Sequence, residues 1–212
     1  MNSINYFNNI AESWNKIRVG YFKDEVKNKA LELVDINNKI VVDLGCGTGF
    51  ISLEAAKSSE LVFALDISVN MLRELYSEAK RQSYNNIYPI KGGMEDIPLF
   101  DESVDVVFTN MALHHVENPL KAIKEMNRIL KPGGKVVITD VEEHKGEWAR
   151  EEMFDVWLGF SHKQIEEWFT QAEFKNISVK STGLSCKGIS SKGEYTETGI
   201  FIAYGEKTIL TL

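Results

Sequence analysis

Between Val41 and Gly49 the chain reads Val-Val-Asp-Leu-Gly-Cys-Gly-Thr-Gly, an apolar run with one acid, then three glycines at alternating positions. Apolar positions resume at Ile51 and Leu53. A short apolar run that breaks at glycine predicts a buried strand turning directly into a helix. Glycine has no Cβ and tolerates positive φ, so such a turn lets backbone come close to a ligand. The helix that follows points free N–H groups and the positive end of its dipole at the same place. A nucleotide-like ligand at the end of a buried strand is the expectation, and it constrains the whole fold.

The glycine spacing narrows the ligand. Dinucleotide folds use G-x-G-x-x-G, with the pyrophosphate on the helix N-terminus. The shorter Gly45-x-Gly47-x-Gly49 resembles the D-x-G-x-G-x-G signature of class I S-adenosylmethionine-dependent methyltransferases. That resemblance implies S-adenosyl-L-methionine as cofactor and S-adenosyl-L-homocysteine as product. It sets Gly45, Cys46, Gly47 and Gly49 beside the amino-acid end and ribose, with Asp43 orienting the loop or reaching the methionine amino group through water.

Strand and helix patterns alternate from there. A helix is expected to about residue 57, a strand over Leu61–Leu65 ending at Asp66, and a helix capped by Ser68 with Met71, Leu72, Leu75 and Ala79 on one face. Strands follow at 87–90 and 104–108, a helix opens at Asn118-Pro119, and Lys131-Pro132-Gly133-Gly134 turns into a strand at 135–139. Such alternation predicts a parallel sheet with helices on both faces. After a helix capped by Ser161, segments 174–180 and 199–204 read as two strands with no helix between them, so they should pair antiparallel. A plain dinucleotide fold lacks that ending. The resemblance implies an α/β, Rossmann-like fold with a seven-stranded, mostly parallel sheet in the order 3-2-1-4-5-7-6 and an antiparallel C-terminal strand. Residues 1–212 are expected to form a single domain, with 1–35 a helical lid and 36–212 the core.

Further motifs populate the site. Asp66, with Ile67 and Met71 just after it, matches the family acid that takes both ribose hydroxyls, since two O–H donors converge on a two-oxygen acceptor; its alternative is to cap the next helix. Gly92-Gly93-Met94-Glu95-Asp96-Ile97-Pro98 resembles the family's G-D-A-E-D-L-P segment around adenine, with Gly93 standing where an aspartate is usual and Glu95 a substitute acceptor. Thr109-Asn110-Met111-Ala112-Leu113-His114-His115-Val116 resembles the S-x-x-L-H-H-V segment of the ubiquinone/menaquinone-biosynthesis-like group, which implies Asn110 and Met111 along the methionine portion. Neither N-P-P-Y nor D-P-P-Y stands there, which argues against methylation of nucleic-acid amino groups. Of the two histidines, His115 is the candidate base, because imidazole titrates near neutrality. The segment from Asp140 to Phe160 resembles that of methyltransferases joined to arsenic-type repressor modules. Its aromatics suit a cap over an acceptor, with His144 and Glu142 as substrate contacts. Tyr6 and Phe7 resemble the family's aromatic approach to the first helix, and Tyr6 is expected near substrate.

Composition excludes several classes. The 212 residues are about the size of one domain, and 31 acidic against 24 basic residues leave a net charge of −7, which disfavours a nucleic-acid partner. No apolar run approaches the ~18 residues of a membrane helix. The start carries no signal-peptide pattern, so a cytoplasmic address is expected. Cys46 and Cys186 are the only cysteines, Cys46 within the glycine turn, and no ligand spacing predicts a metal site. The leading reading is a methyltransferase acting on a small-molecule methyl acceptor, with oligomeric state open. The alternatives are an NAD(P)-dependent oxidoreductase and a non-catalytic S-adenosylmethionine-binding regulatory module.

Overall fold

In a computed structural model, which describes residues 3–209, seven strands form one sheet. They are β1 (Ile40–Leu44), β2 (Leu61–Asp66), β3 (Ile87–Lys91), β4 (Val104–Asn110), β5 (Leu130–Val141), β6 (Phe174–Ile189) and β7 (Tyr195–Lys207). Their order is β3-β2-β1-β4-β5-β7-β6. The first five pair parallel, while β7 runs antiparallel to both β5 and β6. The order reverses at β1, so β2 and β4 flank it and a crevice opens above their carboxyl ends, where open α/β sheets bind ligands.

Eight α-helices accompany the sheet among the described residues: α1 (Ser3–Ile10), α2 (Trp14–Tyr21), α3 (Glu25–Glu32), α4 (Ser52–Ala55), α5 (Val69–Arg81), α6 (Pro119–Ile129), α7 (Trp148–Glu152) and α8 (His162–Gln171). Strand alternation splits the core between the two faces. Val42, Leu44 and Val107 pack with Ile123 and Met126 of α6 and Phe169 of α8. Val41 and Val62 pack with Ala30 of α3, Ala55 of α4 and Leu75 of α5. Each such side chain taken fully from water stabilises the fold by roughly 1.5–3 kcal/mol.

The expected caps are formed: Ser68 Oγ accepts from Met71 N, Asn118 Oδ1 from Lys121 N, and Ser161 Oγ from Gln164 N. Four elements differ from expectation: β5 begins at Leu130, so residues 131–134, expected as a turn before a strand at 135–139, fall within the strand, and the other three are the helix after the glycine turn and the last two strands. The helix after the glycine turn is a single turn, Ser52–Ala55, flanked by turns on both sides instead of running to residue 57. The last two strands are far longer than expected. They pair as a ribbon from Phe174↔Lys207 to Ile189↔Tyr195, with register shifts that bend it. Glycines and serines over 181–190 break the apolar alternation by which a strand is recognised in sequence, yet their backbone pairs throughout most of that length.

α1 and α2 sit over the carboxyl ends of the strands. Asn8 Oδ1 accepts from Ser68 Oγ at 2.8 Å, Asn70 donates back to the Asn8 carbonyl at 2.9 Å, and Thr48 Oγ1 donates to Asn15 Oδ1 at 2.8 Å. These bonds hold the N-terminal helices against the glycine turn and the start of α5.

Candidate active site

A cavity occupies the crevice, lined by the glycine turn, the ends of β2 and β4, α1 and α2, and the segment around α7.

Its floor is the glycine turn. Gly45 N and Cys46 N both donate to the Leu65 carbonyl, at 2.8 and 3.0 Å, tying the turn to the end of β2. Gly45 has a φ of +66°, and a Cβ there would lie 2.5 Å from Ala112 Cβ, so only glycine fits. Asp66 ends β2. Its Oδ2 accepts from Gly47 N and its Oδ1 from Ser68 N, both at 2.8 Å. Asp66 thus steadies the turn before α5, and each oxygen keeps a lone pair for a further donor. Burial raises its carboxyl above the ordinary range against the opposing backbone hydrogen bonds.

The rest of one wall comes from Ile67, Met71, Gly93, Met94 and Glu95, and the other from Asn110 and Met111 at the end of β4. Met111 holds a left-handed φ of +51°, and its N–H donates to the Thr139 carbonyl at 2.8 Å. Backbone of this kind in a non-glycine residue is costly and is concentrated at ligand sites. The Thr139 hydroxyl donates to Asn110 Oδ1 at 2.7 Å, which leaves the Asn110 amide N–H groups to serve a ligand. Glu95 Oε1 accepts from Asn118 N at 2.8 Å, so one of its oxygens is engaged at the start of α6.

Four expected site residues, Asp43, Gly49, Tyr6 and Glu142, lie outside the lining. Asp43 is buried beneath the turn, where its Oδ2 accepts from both the N–H and hydroxyl of Ser52, at 2.9 and 2.5 Å; it organises the short helix and does not line the cavity. Burial pushes its carboxyl up to about 7 despite those two bonds, and the charge of Asp66 adds to the rise. Gly49 also lies behind the wall, and the space a Cβ would need is taken by a Leu75 methyl. Tyr6 packs against Phe7 and Phe154 and donates its hydroxyl to Met153 Sδ at 3.4 Å, just outside the lining. Burial drives its phenol up to about 12, so it stays protonated.

Both histidines of the pair reach the cavity. His114 Nδ1 lies 2.5 Å from Asp140 Oδ1. Burial opposes the His114 imidazolium, but the charges of Asp140 and Asp155 outweigh it and lift the group to about 9. His115 Nδ1 lies 3.4 Å from the Phe154 carbonyl and its ring meets Phe7 edge-on at 5.0 Å. Burial, then the charge of His114, holds it well below the ordinary range, so it is neutral. His144 lines the cavity too, its Nδ1 accepting from Gly146 N at 3.2 Å. Glu142 instead faces His162 Nε2 at 3.1 Å and is not in the lining. Of the aromatics in 140–160, Trp148 lines the cavity, whereas Trp157 and Phe160 pack with Trp168 in the core.

Two groups escaped the sequence reading. Arg18 lies in the cavity wall with its guanidinium 4.1 Å above the Phe50 ring, paired to Asp24 at 2.9 Å, while its buried Nε has no partner. Asp155, within the segment 140–160 but not singled out there, stands beside both histidines. Neither sits in a motif; an arginine at helical spacing and an acid in a loop look like solvated surface until the chain folds.

Comparison with known proteins agrees with this architecture. Residues 42–138 match a family model described as a methyltransferase domain. The chain is 31% identical over 174 residues to a chloroplastic 2-methyl-6-phytyl-1,4-hydroquinone methyltransferase of Spinacia oleracea, covering 80% of this chain but 49% of the relative. It is 26% identical over 213 residues to a demethylmenaquinone methyltransferase of Staphylococcus haemolyticus, covering 82% and 86% of the two. A crystal structure of a SAM-dependent methyltransferase from Aquifex aeolicus superimposes with a TM-score of 0.66 at 22% identity, over 92% of this chain and 97% of that one. This chain spans about half the length of the spinach relative.

Sheet order and the antiparallel ending define the class I methyltransferase fold and set it apart from a plain dinucleotide-binding sheet. Within that fold, the chain is similar to proteins named as hydroquinone and demethylmenaquinone methyltransferases.

Proposed function

We propose that the chain transfers a methyl group from S-adenosyl-L-methionine to an apolar small-molecule acceptor. The observation that carries this reading is Asp66, held at both oxygens by backbone N–H groups in the cavity wall with lone pairs left over. When bound, S-adenosyl-L-methionine supplies an electrophilic sulfonium methyl group.

The residues fit that cofactor in distinct ways. Asp66 would receive the ribose hydroxyls, and the backbone from Gly45 to Gly47 would let them approach. Arg18, whose buried Nε lacks a partner, would meet the carboxylate of the amino-acid end. Met94 and Ile67 supply apolar surface for adenine, and Asn110 with Met111 borders the methionine portion. His115 is the imidazole that this reading assigns to the acceptor's proton.

Acceptor class follows from apolar residues of the lining that the cofactor reading leaves unused, among them Tyr21, Trp148 and Met153. The hydroquinone named for the spinach relative has that character. No helix among the described residues is long and apolar enough to cross a membrane. The net negative charge supports a small molecule over a nucleic acid. Two free cysteines accord with a cytoplasmic address. We read residues 1–35 as a lid over a single core domain: Phe7, Trp14 and Tyr21 line the cavity from above, where they exclude water from the reacting centre.

Calorimetry with S-adenosylhomocysteine, followed by transfer of labelled methyl to a panel of hydroquinones, phenols and amines, tests the reading. One bound nucleoside per chain and label in an apolar acceptor are expected. No binding of the nucleoside overturns it.

A further inference from the structure

We propose that His114, His115 and Asp155 form a binding site for a divalent transition ion such as zinc, set in the cavity wall. Asp155 Oδ1 lies 3.6 Å from His115 Nδ1 and 3.8 Å from His114 Nε2, and one ligand atom from each of the three residues lies within 4.8 Å of the others. Those separations are too long for hydrogen bonds, which close to about 2.7–3.2 Å. As a result Asp155 Oδ1 is buried without a hydrogen-bond partner, its side chain only 9% exposed. Leaving a charged acceptor in that state is expensive.

An ion removes the cost. Zinc bonds imidazole nitrogen and carboxylate oxygen at about 2.0–2.2 Å, which in a tetrahedron puts ligand atoms about 3.4 Å apart. The two measured separations need to shrink by only a few tenths of an ångström. Two imidazoles with one carboxylate also make a donor set suited to zinc, iron or manganese, with coordination positions left open.

The surroundings support the same assignment. A metal-bound histidine usually gives its other ring nitrogen to a carboxylate, which fixes the tautomer and aims the ring. His114 does this: Nδ1 meets Asp140 Oδ1 at 2.5 Å, and Nε2 takes the ion in exchange for its proton. Asp140 is itself buried and anchored by the N–H groups of Leu113 and Val141, at 2.9 and 2.7 Å. Its role is positioning, through His114.

Taken with the proposed methyl transfer, on which this step alone rests, the open positions select acceptors that carry a ligating hydroxyl. The ion, in place of His115, would then ease loss of that hydroxyl's proton to solvent and hold the oxygen for attack.

The test uses the full-length protein stripped of metal by a chelator and titrated with zinc against a chromophoric competitor. One ion per chain is expected. Asp155→Ala and His115→Ala should each weaken uptake by about 100-fold or more, and Asp140→Asn by about 10–100-fold, all with unchanged circular dichroism. No stoichiometric uptake by the unmodified protein, or uptake undiminished in folded Asp155→Ala, overturns the site. S-adenosylhomocysteine titrations of the same preparations separate the two proposals. Zinc uptake without nucleoside binding leaves the metal site standing and removes only its role in choosing the acceptor.

Discussion

Gly47 N donates to Asp66 Oδ2 at 2.8 Å, so the glycine turn after the first strand and the acid ending the second are one unit. Mutual orientation of turn and carboxylate is fixed before any ligand arrives, which lowers the ordering cost of binding. Asp66→Ala removes an acceptor for two donors at a cost of about 1.5–3 kcal/mol for each charged hydrogen bond. Affinity for S-adenosylhomocysteine should fall by about 100-fold or more in calorimetry. An unchanged dissociation constant would remove Asp66 from the site.

Gly93 stands where the G-D-A-E-D-L-P segment that residues 92–98 resemble has an aspartate, and a Cβ added there meets nothing within 4 Å. Gly93→Asp should be accepted by the fold and restore a charged acceptor beside the adenine position. Binding of S-adenosylhomocysteine should tighten by about tenfold, in line with one charged hydrogen bond. Equal or weaker binding by a folded variant would show that adenine does not lie against this residue.

Gly49 separates stability from binding. It holds a φ of +97° with a Leu75 methyl where a Cβ would go. Gly49→Ala therefore combines backbone strain with overpacking, about 1–3 kcal/mol from each. Urea denaturation should show that loss, while the nucleoside affinity of the folded fraction changes little.

Asp43 gives stability a pH dependence. Its carboxyl ionises near 7 when folded because of burial, against an ordinary value of 3.8. Between those values the folded chain keeps a proton that the unfolded chain has released. Stability therefore falls as pH rises from about 4 to about 7, and this contribution is level above that, at on the order of 1.4 kcal/mol per pH unit. Asp43→Asn removes the slope. Denaturant midpoints across this range should show the unmodified protein losing ground to the variant as pH rises; parallel curves would mean that Asp43 titrates normally.

Much of the fold was legible because it is written locally. Short apolar strands and three capping residues each specify a neighbouring backbone geometry, and the sheet order follows from the family resemblance; the Pro-Gly-Gly segment, expected as a turn, is instead carried within β5. What escaped depends on contacts distant in sequence. The ribbon of β6 and β7 is held by pairing over residues whose side chains carry no strand pattern. The glycine signature looked uniform, yet Gly45 and Gly47 line the cavity while Gly49 and Asp43 serve the packing behind it. Asp155 meets His115 only because the loop after α7 folds back across the cavity, 40 residues along the chain, and Arg18 reaches the site from a helix with no motif of its own.

The central claim is that this crevice holds an adenosyl sulfonium compound. Calorimetric titration of the purified chain with S-adenosylhomocysteine, run beside NADH, tests it most directly. The account predicts one S-adenosylhomocysteine bound per chain, weakened about 100-fold or more by Asp66→Ala, and no heat from NADH. Binding of NADH with none of the sulfur nucleoside would contradict it.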